Sequence, residues 1–316
     1  MRPAAVVLAA GEGKRLKTTR AKVLHEAAGR PLLDHVLAAL APLHPEPVVV
    51  VVGHLRVQVE GHLRGKGLET VVQDPPRGTG DAVAKALPAL PRDGDLLVVS
   101  GDVPLVTTGS LERLLAARRQ GAAAALLSAV LPEGGGYGRV VRSPDGSVQA
   151  IVEARDATVE QRALHEVNAG TYAFELEALR EALPRVRPAN DQGEYYLTDV
   201  IGLLVGGGRQ VVAVTLEGPS EMAGVNTRDE LAQVHHLLNR RIVGRLQAEG
   251  VTVLDPATTW IDFDCTVGAD TVLEPGVHLR RGCRVGRSCR VGAHAVLSGV
   301  TLPDGAVVAP LTLLEA

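Results

Sequence analysis

Aromatic residues are nearly absent: two Phe, four Tyr and one Trp make up 2% of 316 residues. Any core is therefore built from Val, Leu and Ala, in a chain long enough for two domains of ordinary size. Charge of either sign is also scarce in excess. The formal net charge is −3, which excludes the basic face that a general nucleic-acid binder needs. No apolar run reaches membrane length, and the N-terminus lacks the charged, apolar and cleavage regions of a secretory signal. A cytoplasmic protein with no membrane partner is expected. Cysteine is limited to Cys265, Cys283 and Cys289. They have no zinc-ligand spacing and no Cys-x-x-Cys pair, so they are expected to be core-filling free thiols.

What is present is order along the chain. Ala5 to Ala10 is an apolar run of strand length, followed by Gly11-Glu12-Gly13-Lys14-Arg15. Glycines let the backbone turn sharply and approach a ligand closely. With Lys14, Arg15 and Lys22 at the mouth, such a turn suits a phosphate-bearing ligand. No Gly-Lys-Ser/Thr closes it as a P-loop, and Leu16 stands where a dinucleotide fingerprint wants its third glycine. Val48–Val52 and Leu96–Val99 read as buried parallel strands, and Leu32, Leu33, Val36, Leu37 and Leu40 fall at helical spacing. This β-α-β-α order implies a largely parallel sheet covered on both faces, with ligands at the carboxyl ends of its strands. Gly11 and Asp102 are expected at that edge.

Near residue 226 the pattern changes. Thr227 and Glu230 can form a capping box for a helix running to about residue 248, read as a connector with His235 and His236 on its surface. Beyond it, Ile261, Val267, Leu273, Leu279, Val285, Val291 and Leu297 recur every six residues. Leu302, Val308 and Leu314 continue after one register slip. That period is the signature of a parallel β-helix of about three to four coils. Cys265, Thr271, Val277, Cys283, Cys289 and Ala295 share one phase and are expected to point inward.

The string Leu8-Ala9-Ala10-Gly11-x-Gly13-x-Arg15, then Lys22-Val23-Leu24-His25, resembles the signature of sugar-1-phosphate nucleotidyltransferases. The resemblance continues through Gln73, Gly78-Thr79, Ser100-Gly101-Asp102, Tyr137-Gly138-Arg139, Glu153, Asn168-Ala169-Gly170, Gln192 to Asp199 and Gly224-Val225-Asn226. It spans the whole chain, including Asp255-Pro256-Ala257-Thr258-Thr259. The family is that of the bifunctional N-acetylglucosamine-1-phosphate uridyltransferase/glucosamine-1-phosphate acetyltransferase. It implies an α/β fold: a Rossmann-like nucleotidyltransferase domain with a mostly parallel mixed sheet at 1–227, a connecting helix at 228–250 and a short left-handed parallel β-helix at 251–316. It also implies uridylyl transfer from UTP to N-acetylglucosamine 1-phosphate, a Mg²⁺ cofactor, and assembly as a homotrimer through the β-helix. The acetyltransferase site of the family is built on later coils, so that activity is expected to be absent.

Residue roles follow from the resemblance. Arg15 holds the triphosphate, and Lys22 contacts phosphate near the reacting centre. Leu8, Ala9, Ala10, Gly11, Lys22, Gln73, Gly78 and Thr79 bind the nucleotide, with Gln73 reading uracil. Gly138, Glu153, Asn168 and Asn226 bind the sugar. Asp102, which is also catalytic, and Asn226 ligate the metal, a donor set that fits the few protein oxygens Mg²⁺ takes. Three positions depart from the family pattern: Ser100 for Tyr, Asp81 for His and Ala169 for Thr. Two alternatives remain at this level. One is the same chemistry on dTTP with a glucose 1-phosphate or GTP with a mannose 1-phosphate. The other is a catalytically silent scaffold.

Overall fold

The computed structural model describes residues 2–316. Strands of the first half are β1 (Ala4–Ala9), a small hairpin of β2 (Glu26–Ala27) and β3 (Arg30–Pro31), β4 (Val48–Val52), β5 (Glu69–Val72), β6 (Asp95–Ser100), β7 (Ala124–Val130), β8 (Arg139–Arg142), β9 (Val148–Val152), β10 (Glu166–Glu175) and β11 (Val211–Thr215). Helices are α1 (Leu32–Leu40), α2 (Arg56–Leu63), α3 (Thr79–Ala86), α4 (Thr108–Arg118), α5 (Val159–Arg162), α6 (Leu176–Ala182), α7 (Asp199–Gly206) and α8 (Arg228–Ala248).

The main sheet has the order β11-β7-β10-β6-β1-β4-β5, with β8 and β9 added beside β10. β5, β4, β1 and β6 run parallel. β10 is antiparallel to both of its neighbours β6 and β7, so the sheet is mixed at its middle. Alternation along β1 feeds two cores: Ala4 and Val6 pack on one face, and Ala5, Val7 and Ala9 on the other. A strand buried on both faces needs apolar residues at every position, hence the unbroken runs in β1 and β4. The carboxyl ends of β1 and β6 meet directly, because Leu8 pairs with Ser100 and Gly101 N–H donates to Leu8 O at 2.9 Å.

The molecule divides into two compact units. The first holds residues up to Leu24 and Leu32–Asn226; the second holds His25–Pro31 and Thr227–Ala316. The sequence pattern carries no sign that the β2–β3 hairpin groups with the C-terminal residues. It does so because its main chain is bonded there: Phe263 N–H donates to Ala28 O at 2.9 Å, and Ala28 N–H donates to His235 Nδ1 at 3.2 Å. His235 is thus not a plain surface residue. It is half-buried against the Trp260 ring, and burial holds its pKa below the usual value. His236 is exposed.

The capping box forms as expected. Thr227 Oγ1 accepts from Glu230 N–H and Glu230 Oε2 accepts from Thr227 N–H, an arrangement that satisfies two otherwise orphaned donors. Val234, Leu238, Ile242 and Leu246 of α8 are buried. Asn239 joins the helix to the repeat region: its Nδ2 donates to Thr259 O at 2.8 Å, and its Oδ1 accepts from Ile261 N–H at 2.9 Å.

The repeat region is a left-handed parallel β-helix with three parallel sheets as its faces. Regular coils pair residues eighteen apart, as in Ile261 with Leu279 and Leu279 with Leu297. The slip lies between Leu297 and Leu302, so Val285 pairs with Leu302 in the last coil. The small-residue phase is inside: Cys265, Thr271, Val277, Cys283, Cys289 and Ala295 are all 2% exposed or less. The three thiols are unbridged, and burial pushes that of Cys265 up to about 12. Stacking explains Gly286, where a Cβ would sit 2.6 Å from the backbone nitrogen of Asp304 in the next coil. Among the described residues no helix is long and apolar enough to cross a membrane.

Candidate active site

The first unit carries two cavities that share Asp102. The larger, about 490 Å³, is lined by Leu8, Ala10, Gly11, Gln73, Gly78, Thr79 and Asp102 among others. The smaller, about 240 Å³, is lined by Gly138, Glu153, Asn168, Asn226 and again Asp102. Six of the eight expected nucleotide residues therefore line one space, and all four expected sugar residues line the other.

Ala9 and the two cations stand apart. The Ala9 side chain is buried in the core, because strand alternation turns it away from the face of Leu8 and Ala10. Only its backbone is available to a ligand. Arg15 is exposed on a short 3₁₀ turn, Lys14–Leu16, and lines neither cavity. Lys22 is 10% exposed at its side chain, and its ammonium bonds to both expected metal ligands. It pairs with the Asp102 carboxylate and donates to Asn226 Oδ1 at 2.6 Å. The loops bearing these oxygens are tied together, since Val225 N–H donates to Asp102 O at 3.0 Å. The two oxygens thus converge on a position that already holds a cation. A carboxylate and an amide oxygen at one point are a donor set that fits Mg²⁺ completed by phosphate and water. Among the described residues no cluster of three or more His, Cys, Asp or Glu side chains could hold a metal.

Glycines shape the larger cavity in different ways. A Cβ on Gly11 would meet nothing within 4 Å, so the fold does not require glycine there. The absence of a side chain leaves the backbone open to a ligand. Gly78 is required by the protein: its φ is +102°, and a Cβ would lie 2.6 Å from Tyr195 O. The segment after it is braced by the same neighbour, as Gly80 N–H donates to Tyr195 O at 2.7 Å and Leu197 N–H donates to Thr79 Oγ1 at 3.0 Å. This explains why the Tyr195-Tyr196-Leu197 run accompanies the Gly78-Thr79 motif.

Gln73 is 4% exposed, and its Nε2 donates to Gly78 O at 2.9 Å and to Asp81 Oδ2 at 2.8 Å. Lys14, the cation expected at the mouth of the turn, lines this cavity, as do residues to which the sequence gave no ligand role: Glu12, Pro76, Ala82 and Glu194. Lys14 and Glu12 form an ion pair at 2.5 Å, so an incoming polyanion competes with Glu12 for that ammonium. Adjacency to Gly11 and Gly78 is the signal that could have found them.

In the smaller cavity, burial raises the Glu153 pKa, the hydrogen bond from Thr198 opposes it, and Asp199 and Asp156 reinforce it. Thr198 Oγ1 donates to Glu153 Oε1 at 3.0 Å. Asn168 is fixed by its own strand: Nδ2 donates to Tyr172 Oη at 2.7 Å, and Oδ1 accepts from Gly170 N–H at 3.1 Å. A Cβ on Gly138 would come 3.0 Å from Ile151 Cγ2 and 3.4 Å from Glu153 Oε2. Glycine there lets β8 close on Glu153. Buried Arg139 bonds the carbonyls of Gly135 and Tyr137, holding the cavity's loop rather than facing a ligand.

The MobA-like NTP transferase domain family matches residues 5–170, and the bacterial transferase hexapeptide family (six repeats) matches residues 264–299. The chain is 48% identical to the bifunctional protein GlmU of Mycolicibacterium gilvum, over 96% of this chain and 63% of that protein. It is 46% identical to that of Mycobacterium tuberculosis, over 96% and 63%, and 45% identical to that of Thermobifida fusca, over 100% and 67%. The chain thus spans roughly two thirds of the length of these relatives. Near-full coverage of the chain at this identity, with an NTP-transferase match followed by a hexapeptide-repeat match, places it in the GlmU family.

Proposed function

We propose that the chain is a Mg²⁺-dependent uridylyltransferase that joins UTP and N-acetylglucosamine 1-phosphate, giving UDP-N-acetylglucosamine and pyrophosphate. The observation that carries this reading is the pair of cavities meeting at Asp102, one lined by Gln73, Gly78 and Thr79 and the other by Glu153 and Asn168. Two substrates seated there present their phosphates to each other at one carboxylate. The sugar phosphate is itself the nucleophile, so the protein has only to position it and neutralise charge.

The residues divide that task. Backbone at Ala10 and Gly11 lies against the nucleotide, and Gln73 meets the base. Lys14, and Arg15 from its exposed turn, close over the triphosphate and stabilise the departing pyrophosphate. Lys22 contacts phosphate oxygens once released from Asp102 and Asn226. Those two oxygens hold the Mg²⁺, which when bound supplies further charge neutralisation at the phosphates. Glu153 and Asn168 orient the sugar hydroxyls and the N-acetyl group. Ala169 lines the same cavity and brings no hydroxyl to it.

Pyrophosphate release over a panel of UTP, dTTP, CTP and GTP with N-acetylglucosamine, glucose and mannose 1-phosphates tests the reading. UTP with the N-acetylated sugar is expected to give the highest kcat/KM. Faster turnover on dTTP or GTP overturns the assignment, and no turnover on any pair favours a silent scaffold. Self-association through the β-helix as a homotrimer is the assembly proposed, readable by light scattering.

A further inference from the structure

We infer that Asp81 is a positioning residue that fixes which atom of Gln73 the base meets, and so sets the choice of uracil over cytosine. The inference rests on the uridylyltransferase reading and deepens it. The Gln73 amide is buried and has two neighbours that are acceptors only: the carbonyl oxygen of Gly78 at 2.9 Å and a carboxylate oxygen of Asp81 at 2.8 Å. Both must be met by the amide's N–H groups, since a carbonyl and an ionised carboxylate can only accept. Turning the amide over would set its oxygen against two acceptors, one of them charged. The bond to the carboxylate is charge-assisted, the stronger kind. Oε1 is then the Gln73 atom left for the cavity that this residue lines.

An outward acceptor reads the base edge. Uracil carries N3–H, a donor, and bonds to Oε1. Cytosine carries an unprotonated N3, whose lone pair would face the lone pairs of Oε1. Thymine has the same N3–H as uracil. Without a fixed acceptor beside it, a glutamine amide can present either end and tolerates both pyrimidines. Gly78 O supplies one fixed acceptor and Asp81 the second, charged one, because Asp81 sits in the first turn of α3, one residue after Gly80, and the main chain of Gly80 is itself held by Tyr195.

The test uses the whole chain and the variants Asp81→Asn and Asp81→Glu. An asparagine side chain can accept from Nε2 or, turned over, donate to Oε1, so the charged barrier to turning Gln73 over is removed and only the Gly78 carbonyl still opposes it. The kcat/KM ratio of UTP to CTP is expected to fall about tenfold in Asp81→Asn, the scale of one charge-assisted hydrogen bond. The change should lie in KM, with the UTP to dTTP ratio unmoved, and Asp81→Glu should restore most of the UTP preference. Substrate-free protein provides a readout independent of turnover. The Gln73 side-chain amide protons, followed by ¹⁵N NMR, should be protected from exchange in the parent and lose protection in Asp81→Asn. Protected protons with an unchanged UTP to CTP ratio overturn the specificity role, and unprotected protons in the parent overturn the lock itself. A parent that uses no uridine nucleotide but keeps the protected amide defeats the uridylyltransferase reading instead, and with it the specificity role, while the lock stands.

Discussion

Lys22 Nζ donates to Asn226 Oδ1 across 2.6 Å while the same ammonium pairs with Asp102. Three groups of opposite preference thus share one point, and a divalent ion can join the two oxygens only as the ammonium leaves. Replacing Lys22 by Met removes the competitor. Mn²⁺ binding to the nucleotide-free protein, read by electron paramagnetic resonance, is expected to tighten about fivefold, because a like charge no longer stands at the proposed ion position. Turnover is expected to fall by roughly 100-fold, as when one charge-stabilising donor is lost from a reacting centre. Unchanged Mn²⁺ affinity would show that the ion binds elsewhere.

Gly11 and Gly78 should respond oppositely to alanine. At Gly11 the new methyl meets no protein atom within 4 Å, so stability should stay within about 0.5 kcal/mol of the parent. The KM for the nucleotide should nonetheless rise, since the methyl enters the ligand's space. At Gly78 the φ of +102° and the 2.6 Å approach to Tyr195 O should cost about 1–3 kcal/mol in urea unfolding. A destabilised Gly11→Ala with normal KM would remove the ligand argument.

Glu153 should link sugar binding and stability to pH with opposite signs. Burial, opposed by Thr198, raises its pKa in the folded state, so between the usual glutamate value and that raised value the native protein binds more protons than the unfolded chain. Unfolding free energy therefore falls as pH rises through this window. Glu153→Gln should flatten that slope and gain stability at neutral pH. The same substitution should raise the KM for the sugar phosphate, because the carboxylate proposed to accept from sugar hydroxyls is gone. In the parent, that KM should climb as pH drops below the raised pKa. A stability profile unaltered by Glu153→Gln would show that the carboxyl is not desolvated.

Asn239 satisfies one donor and one acceptor of the first β-helix turns, Ile261 N–H and Thr259 O. Asn239→Ala leaves both buried groups unmet and should cost about 2–4 kcal/mol, the desolvation of two polar groups. Loss of the transition assigned to residues 227–316 by hydrogen exchange, with slower exchange retained in β1 and β6, is the expected pattern. A cost below about 0.5 kcal/mol would mean that water replaces the amide.

Much of this was legible in the residues. Five consecutive valines set β4 without ambiguity, Thr227 and Glu230 marked the start of α8, and six-residue spacing identified the inward phase of the β-helix down to its cysteines. Local rules suffice where one period governs a segment. The remainder depended on residues distant in sequence. The antiparallel insertion of β10 between β6 and β7 follows no local pattern. Ala9 reads as part of the nucleotide string, yet alternation buries its side chain. His235 looks like a helix surface residue, and it is the distant Ala28 main chain that gives its Nδ1 a partner. Asp81 reads in sequence as a mere departure from the family pattern. Its meaning emerges when Gln73 is found reaching for it.

The grouping of His25–Pro31 with Thr227–Ala316 makes the second unit discontinuous. No single cut releases it whole, and a gene fragment beginning at Thr227 would lack the strand pair whose Ala28 answers Phe263 and His235. Its assembly also has to wait for closure of the long loop formed by Leu32–Asn226, a late event on entropic grounds. The β-helix is therefore a part that finishes folding on terms set by the chain before it, although its repeats stack from local neighbours alone.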